Sequence, residues 1–182
     1  MDETAPRRLN WGCGNWAEPG WINADIKDEP GIDISCDIRE GLPLDADSID
    51  YAVTIHALPE IAYPDLVPVL SELRRVLKPN GVLRVSVPDL DASIRAYLRN
   101  DPEYFLVPDA DSPSVGGKFA IYLTWYGYTR SLYTEAFLEE LLFRAGFRHV
   151  RRCRYRETFS AHAGITELDN REAESLFMEA VK

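Results

Sequence analysis

The residues with chemical capacity begin at Gly12-Cys13-Gly14, which follows the short stretch Leu9-Asn10-Trp11. Glycines lack Cβ, so the backbone there can pass close beneath a ligand. Asp25 comes 13 positions after Gly12, at the end of Trp21-Ile22-Asn23-Ala24-Asp25. A strand-end acid of this kind can accept from both hydroxyls of a ribose. Asp37, after the alternating Ile32, Ile34 and Cys36, is a second acid placed to accept from an adenine amine. His56 closes an apolar run, and its ordinary pKa near neutrality makes it a candidate general base. Asp89 in Val87-Pro88-Asp89-Leu90 is a second candidate, with a helix cap as its competing role.

The remaining reactive side chains offer less. Cys13, Cys36 and Cys153 are odd in number and widely spaced, without the close pairs of a zinc or redox site, so they read as free thiols and no metal is expected. The basic run Arg148, His149, Arg151, Arg152, Arg154 and Arg156 is expected on one strand, with Arg152, Arg154 and Arg156 on one face. It reads as a charged edge strand, or alternatively as an anion subsite.

Elements must position these groups. Residues 7–11 and 21–25 read as strands, joined by a segment with room for one or two helical turns. Residues 31–38 alternate as a third strand, and 49–55 form a fourth, buried on both faces. Leu66, Val69, Leu70, Leu73, Val76 and Leu77 repeat at helical spacing, with Pro64 and Pro68 before or within the first turn. Strand 82–87 and a short helix near 90–99 follow. Thr134 caps a helix carrying Phe137, Leu138, Leu141, Leu142 and Ala145, stopped by Gly146. Strands at 147–155 and 174–182 complete the chain. Residues 101–130 are irregular and aromatic, and read as a lid or substrate-pocket insertion within a single domain.

Strands alternating with helices give an α/β fold, a Rossmann-like three-layer sandwich with a mainly parallel sheet. The loops after Trp11, Asp25, Asp37, Ile55 and Val87 then face one crevice at the carboxyl edge. The 182 residues suit one domain, and a formal net charge of -10 argues against nucleic acid as a partner. No stretch is long and apolar enough for a membrane span or a secretory leader, so a cytoplasmic protein is expected. The sequence assigns no oligomeric state.

Read literally, Gly12-Cys13-Gly14-Asn15-Trp16-Ala17 satisfies a dinucleotide fingerprint. That fingerprint wants its acid roughly 20 positions on and a helix N-terminus for the pyrophosphate. The shorter interval here suits a nucleoside with an amino-acid tail and no phosphates, which describes S-adenosylmethionine. The chain resembles the class I S-adenosylmethionine-dependent methyltransferases, and among them a compact bacterial methyltransferase-like group. The resemblance is carried by LNWGCGNWAEPGWINAD, CDIREGLPLDADSIDYAVTIHALPEI, ELRRVLKPNGVLRVSVPDL, YTEAFLEELLFRAGF and LDNREAESLFMEA, in that order.

The resemblance implies a seven-stranded sheet with an antiparallel last strand, and methyl transfer to a small-molecule acceptor such as a sugar or secondary-metabolite hydroxyl. It implies cofactor contacts from Asn10, Gly12, Cys13, Gly14, Asp25, Ile26, Asp37, Ile38 and His56. His56 and Asp89 stand as the candidate catalytic pair, although aligning nucleophile, methyl and sulfur supplies much of such a rate by itself. One departure stands out. The group's usual HVLEHL reads HALPEI here, with Pro59 and Glu60 replacing a Glu-His pair. That change keeps open a non-catalytic S-adenosylmethionine-binding protein, and a nicotinamide-dependent oxidoreductase is a more distant alternative.

Overall fold

The computed structural model describes residues 5–182. Seven strands form one sheet in the order β3-β2-β1-β4-β5-β7-β6. They are β1 (Arg8–Trp11), β2 (Ile22–Asp25), β3 (Ile34–Ser35), β4 (Ile49–Ile55), β5 (Leu77–Pro88), β6 (Arg148–Cys153) and β7 (Ser175–Val181). The first five strands run parallel, whereas β7 inserts antiparallel between β5 and β6, pairing Val82 with Val181 through to Pro88 with Ser175. The strand order reverses between β1 and β4, and the carboxyl ends of β1, β2, β4 and β5 share one edge around that point.

One face of the sheet carries α1 (Tyr63–Val76) and α4 (Glu135–Arg144). Leu66, Val69, Leu70, Leu73, Leu138, Leu141 and Leu142 are all fully buried there against Leu83, Val85 and Val87. Pro64 lies in the first turn of α1, but Pro68 falls inside the helix, beyond the first turn expected for it. Thr134 caps α4 by accepting from the Phe137 amide at 3.2 Å.

The opposite face has no long helix among the described residues. An irregular segment, residues 154–174, covers it and packs Ile165 and Leu168 onto Trp21, Tyr51 and Val53. A buried ion cluster pins that segment. Arg84 on β5 is fully buried and grips Asp169 with Nε at 2.6 Å and Nη2 at 2.5 Å, and Glu179 of β7 with Nη1 at 2.8 Å. Its guanidinium also donates to the Glu157 and Arg154 carbonyls. Every donor direction is used, which a buried charge requires.

Several local expectations change. Residues 12–21 contain no helix, because Asn10 and Asn23 hold the loop in its place. Asn10 Nδ2 donates to Trp16 O and Asn23 Oδ1, while Asn23 accepts from the Glu18 amide and donates to its carbonyl. The third strand shrinks to two residues: the Asp33 carboxylate takes the Asn23 amide at 2.8 Å, and Asp37 caps a 3-10 turn over Ile38–Glu40.

Within 101–130 a helix forms, α3 (Val115–Thr124), capped by Ser114. It packs on α2 (Leu90–Leu98) with Phe105, Val107 and Tyr122 as a second small core. β6 is an edge strand as expected, but it ends at Cys153, and Arg156 follows with φ 56°. Arg152, Arg154 and Arg156 therefore do not share a strand face. Arg152 instead bridges Asp89 at 3.0 Å and Glu135 at 2.7 Å.

Candidate functional site

The turn after β1 is built on two left-handed glycines. Gly12 has φ +71°, and a Cβ there would lie 2.1 Å from the Ala57 Cβ, so the β4 loop closes tightly on it. Gly14 has φ +50°, with nothing within 4 Å of where its Cβ would stand. The amides of Gly12 and Cys13 both reach the Ala24 carbonyl, at 2.8 and 3.3 Å. This ties the turn to the end of β2.

Asp25 ends β2, buried to 9% exposure. Its Oδ2 accepts from the Gly14 amide at 2.8 Å and its Oδ1 from the Lys27 amide at 3.1 Å. Each oxygen keeps a further lone pair for a hydroxyl donor. The next residue, Ile26, leaves 66% of its surface exposed, an apolar face suited to a flat ring.

The other predicted residues divide. Asn10 is buried and engaged in holding the loop, so it positions the glycines. Asp37 caps its turn and chelates Arg39, whose hydrogen bonds hold its carboxyl below the usual range. The Ile38 side chain lies in the main core, 4% exposed, so its backbone is what borders the crevice. Cys13 is buried beneath the turn, and burial pushes its thiol up to about 11.

His56 follows β4 with φ +58°. Its Nε2 lies 3.1 Å from Ser175 Oγ and 3.4 Å from Ser86 Oγ. Burial, aided by the Arg171 charge, lowers its pKa to about 3, so the ring is neutral at physiological pH and a weak base. Asp89 caps α2, accepting from the Ala92 amide at 2.9 Å on Oδ1 and from Arg152 at 3.0 Å on Oδ2. Both of its oxygens are engaged away from the glycine turn.

A cleft of about 120 Å³ opens beside His56. Glu60, Tyr122, Trp125, Tyr128, Arg171 and Glu174 line it. Ala57, which follows His56, packs against Gly12, so the cleft lies beside the glycine turn. Sequence reasoning passed over Arg171 and Glu174, which precede β7 in a polar stretch with no spacing to mark them. Their proximity to His56 comes from the insertion of β7 beside β5.

This fold is that of known methyltransferases. Residues 22–85 match the methyltransferase domain family model. A S-adenosylmethionine-dependent methyltransferase of Thermotoga maritima shares 20% identity at a TM-score of 0.60, over 98% of this chain and 83% of its own. One from Archaeoglobus fulgidus shares 16% at 0.60, over 98% and 87%. The Burkholderia thailandensis 1,6-didemethyltoxoflavin-N1-methyltransferase shares 17% at 0.53, over 97% and 71%. The sequence finds no match among the curated proteins.

The methyltransferase-domain match over residues 22–85 thus sits within a chain whose whole architecture is that of S-adenosylmethionine-dependent methyltransferases. Such domains use S-adenosylmethionine, and the residues present here fit that group. The open side of Gly14, the free lone pairs of Asp25 and the uncovered Ile26 come together at the carboxyl ends of β1 and β2. Among the described residues no helix is long and apolar enough to cross a membrane.

Proposed function

We propose that this methyltransferase modifies a small molecule held in the cleft beside His56. The carrying observation is adjacency: the cleft lies beside the turn of Gly12 and Gly14, on which Ala57 packs, and is walled by aromatic residues from 101–130. Small-molecule sites are commonly concave, aromatic and sparsely polar in this way. The Burkholderia relative, by its description, binds 1,6-didemethyltoxoflavin together with S-adenosylhomocysteine.

In this reading Gly12, Cys13 and Gly14 pass beneath the amino-acid part of the cofactor, while Asp25 accepts from the ribose hydroxyls. Ile26 covers the adenine face, and the backbone at Asp37 and Ile38 edges it. The bound cofactor supplies an electrophilic methyl group. The chain's part is to hold the acceptor in line and exclude water, which accounts for much of the rate in such a reaction. His56 borders both partners as a neutral ring. Asp89 acts through α2 as a positioning residue. Residues 101–130 serve as the lid of a single domain. We place the reaction in the cytoplasm, where free thiols such as Cys13 and Cys153 persist.

The test supplies S-adenosylmethionine carrying a tritiated methyl group to the enzyme with pooled small amines and alcohols, with transfer RNA, or with unstructured peptides. Label in the small-molecule pool is the expected result. Label confined to RNA or peptide would overturn the small-molecule assignment.

A further inference from the structure

Two residues that line the cleft beside His56 carry buried polar atoms without partners. Glu174 is 3% exposed, and its Oε2 has no hydrogen-bond partner among the described residues. Its other oxygen meets Arg171 Nη1 only at 3.5 Å. His56 Nδ1 is likewise buried without a partner. Buried polar atoms are nearly always paired, because leaving one unpaired is costly.

The tautomer of His56 follows from its neighbour. The Ser175 hydroxyl donates to the Arg171 carbonyl at 2.8 Å, which leaves its oxygen to accept from His56 Nε2 at 3.1 Å, and Ser86 Oγ at 3.4 Å can accept from it as well. Nε2 then carries the ring proton, and Nδ1 presents a bare lone pair. Both orphan atoms are therefore acceptors, and both call for N–H or O–H donors.

The charges lining the cleft agree. Glu60 and Glu174 are carboxylates, Arg171 is the single cation and His56 is neutral, leaving one net negative charge. Arg171 is itself committed, lying over the Trp125 ring at 5.3 Å to the centroid. Outside the lining, the charges felt by Glu60 are those of Asp25, Lys27 and Arg130. Tyr122 and Tyr128 also line the cleft, and aromatic rings attract cations.

We propose that this cleft takes a protonated amine, with Glu174 Oε2 and His56 Nδ1 as its hydrogen-bond acceptors, and that this amine nitrogen is the methyl acceptor. An ammonium offers up to three donors where a hydroxyl offers one. Glu174 also has a route to activate it: the N–H bond breaks toward Oε2, giving a neutral carboxylic acid and a neutral nitrogen with a free electron pair. Burial raises the Glu174 pKa, which eases that proton uptake. The assignment rests on the methyltransferase reading above.

The experiment uses the full-length protein saturated with S-adenosylhomocysteine. Ethylamine, phenethylamine and tryptamine are each titrated calorimetrically against their matched alcohols. The amines should bind about tenfold or more tightly than the alcohols, and Glu174→Gln should remove about tenfold of amine affinity while leaving alcohols unchanged, as expected for loss of a charged hydrogen bond. Equal affinities within the pairs, no binding by any amine, or an unchanged Glu174→Gln variant each overturn the proposal. The wild-type pairs decide it even if the variant does not fold. Failure of S-adenosylhomocysteine itself to bind would instead refute the cofactor site.

Discussion

Gly12 and Gly14 share a left-handed backbone, yet replacing each by alanine should have opposite consequences. Alanine at either position carries a strain of about 1–2 kcal/mol for φ in that region. At Gly12 the new Cβ would also sit 2.1 Å from the Ala57 Cβ, an atom fixed to its own backbone. The β4 loop would have to move, and overpacking of this kind adds about 1–3 kcal/mol. The sum, roughly 2–5 kcal/mol, corresponds at about 2–4 °C per kcal/mol to a fall near 10 °C in Tm.

At Gly14 no protein atom lies within 4 Å of the added carbon. Only the strain remains, about 1–2 kcal/mol or a few degrees. The new methyl would instead project into the space assigned to the cofactor. Calorimetry and thermal melts on both variants separate the two effects. Gly12→Ala should lose mostly stability, and Gly14→Ala mostly affinity for S-adenosylhomocysteine, by tenfold or more on the order of one clashing contact. Equal Tm losses, or undiminished affinity in Gly14→Ala, would refute this account of the turn.

Three further predictions concern the frame. Arg84→Met leaves Asp169 and Glu179 buried without their cation, and should cost about 3–5 kcal/mol by denaturant unfolding; a loss under about 1 kcal/mol would show the cluster to be dispensable. His56 has a folded pKa of about 3 against an ordinary 6.5, so the unfolded chain binds the proton first. Its stabilisation is complete above pH 6.5 and is lost as pH falls below it, at up to about 1.4 kcal/mol per pH unit. His56→Asn, which tolerates the positive φ, should flatten the stability profile between pH 6.5 and 5; an identical slope would count against a buried neutral ring. Burial raises the Cys13 and Cys153 thiols to about 11 and 12. Both should resist Ellman's reagent until denaturant is added, and rapid native labelling of either would contradict their placement.

The parallel strands and α1 were legible because their apolar periods are regular and their ends carry punctuation. The turn between β1 and β2 was not: its helix is replaced by side-chain hydrogen bonds from Asn10 and Asn23, and amide networks leave no periodic trace. α3 was hidden by Gly116 and Gly117 in its first turn, whose poor propensity is outweighed by burial of Tyr122 and its aromatic neighbours. Spacing placed Asp25, but Arg171 and Glu174 meet His56 only through the register of β7 on β5. Arg84 and Glu179, charges within the apolar stretches 82–87 and 176–181, were the readable signs of the buried cluster.

The central claim is that the crevice at Gly14 and Asp25 holds the cofactor. Titrating S-adenosylhomocysteine into wild-type protein and into Asp25→Ala tests it most directly. Binding by wild type, with an affinity loss of about tenfold or more in Asp25→Ala for the two lost ribose hydrogen bonds, is the predicted result. No wild-type binding, or equal affinity in the variant, would contradict it.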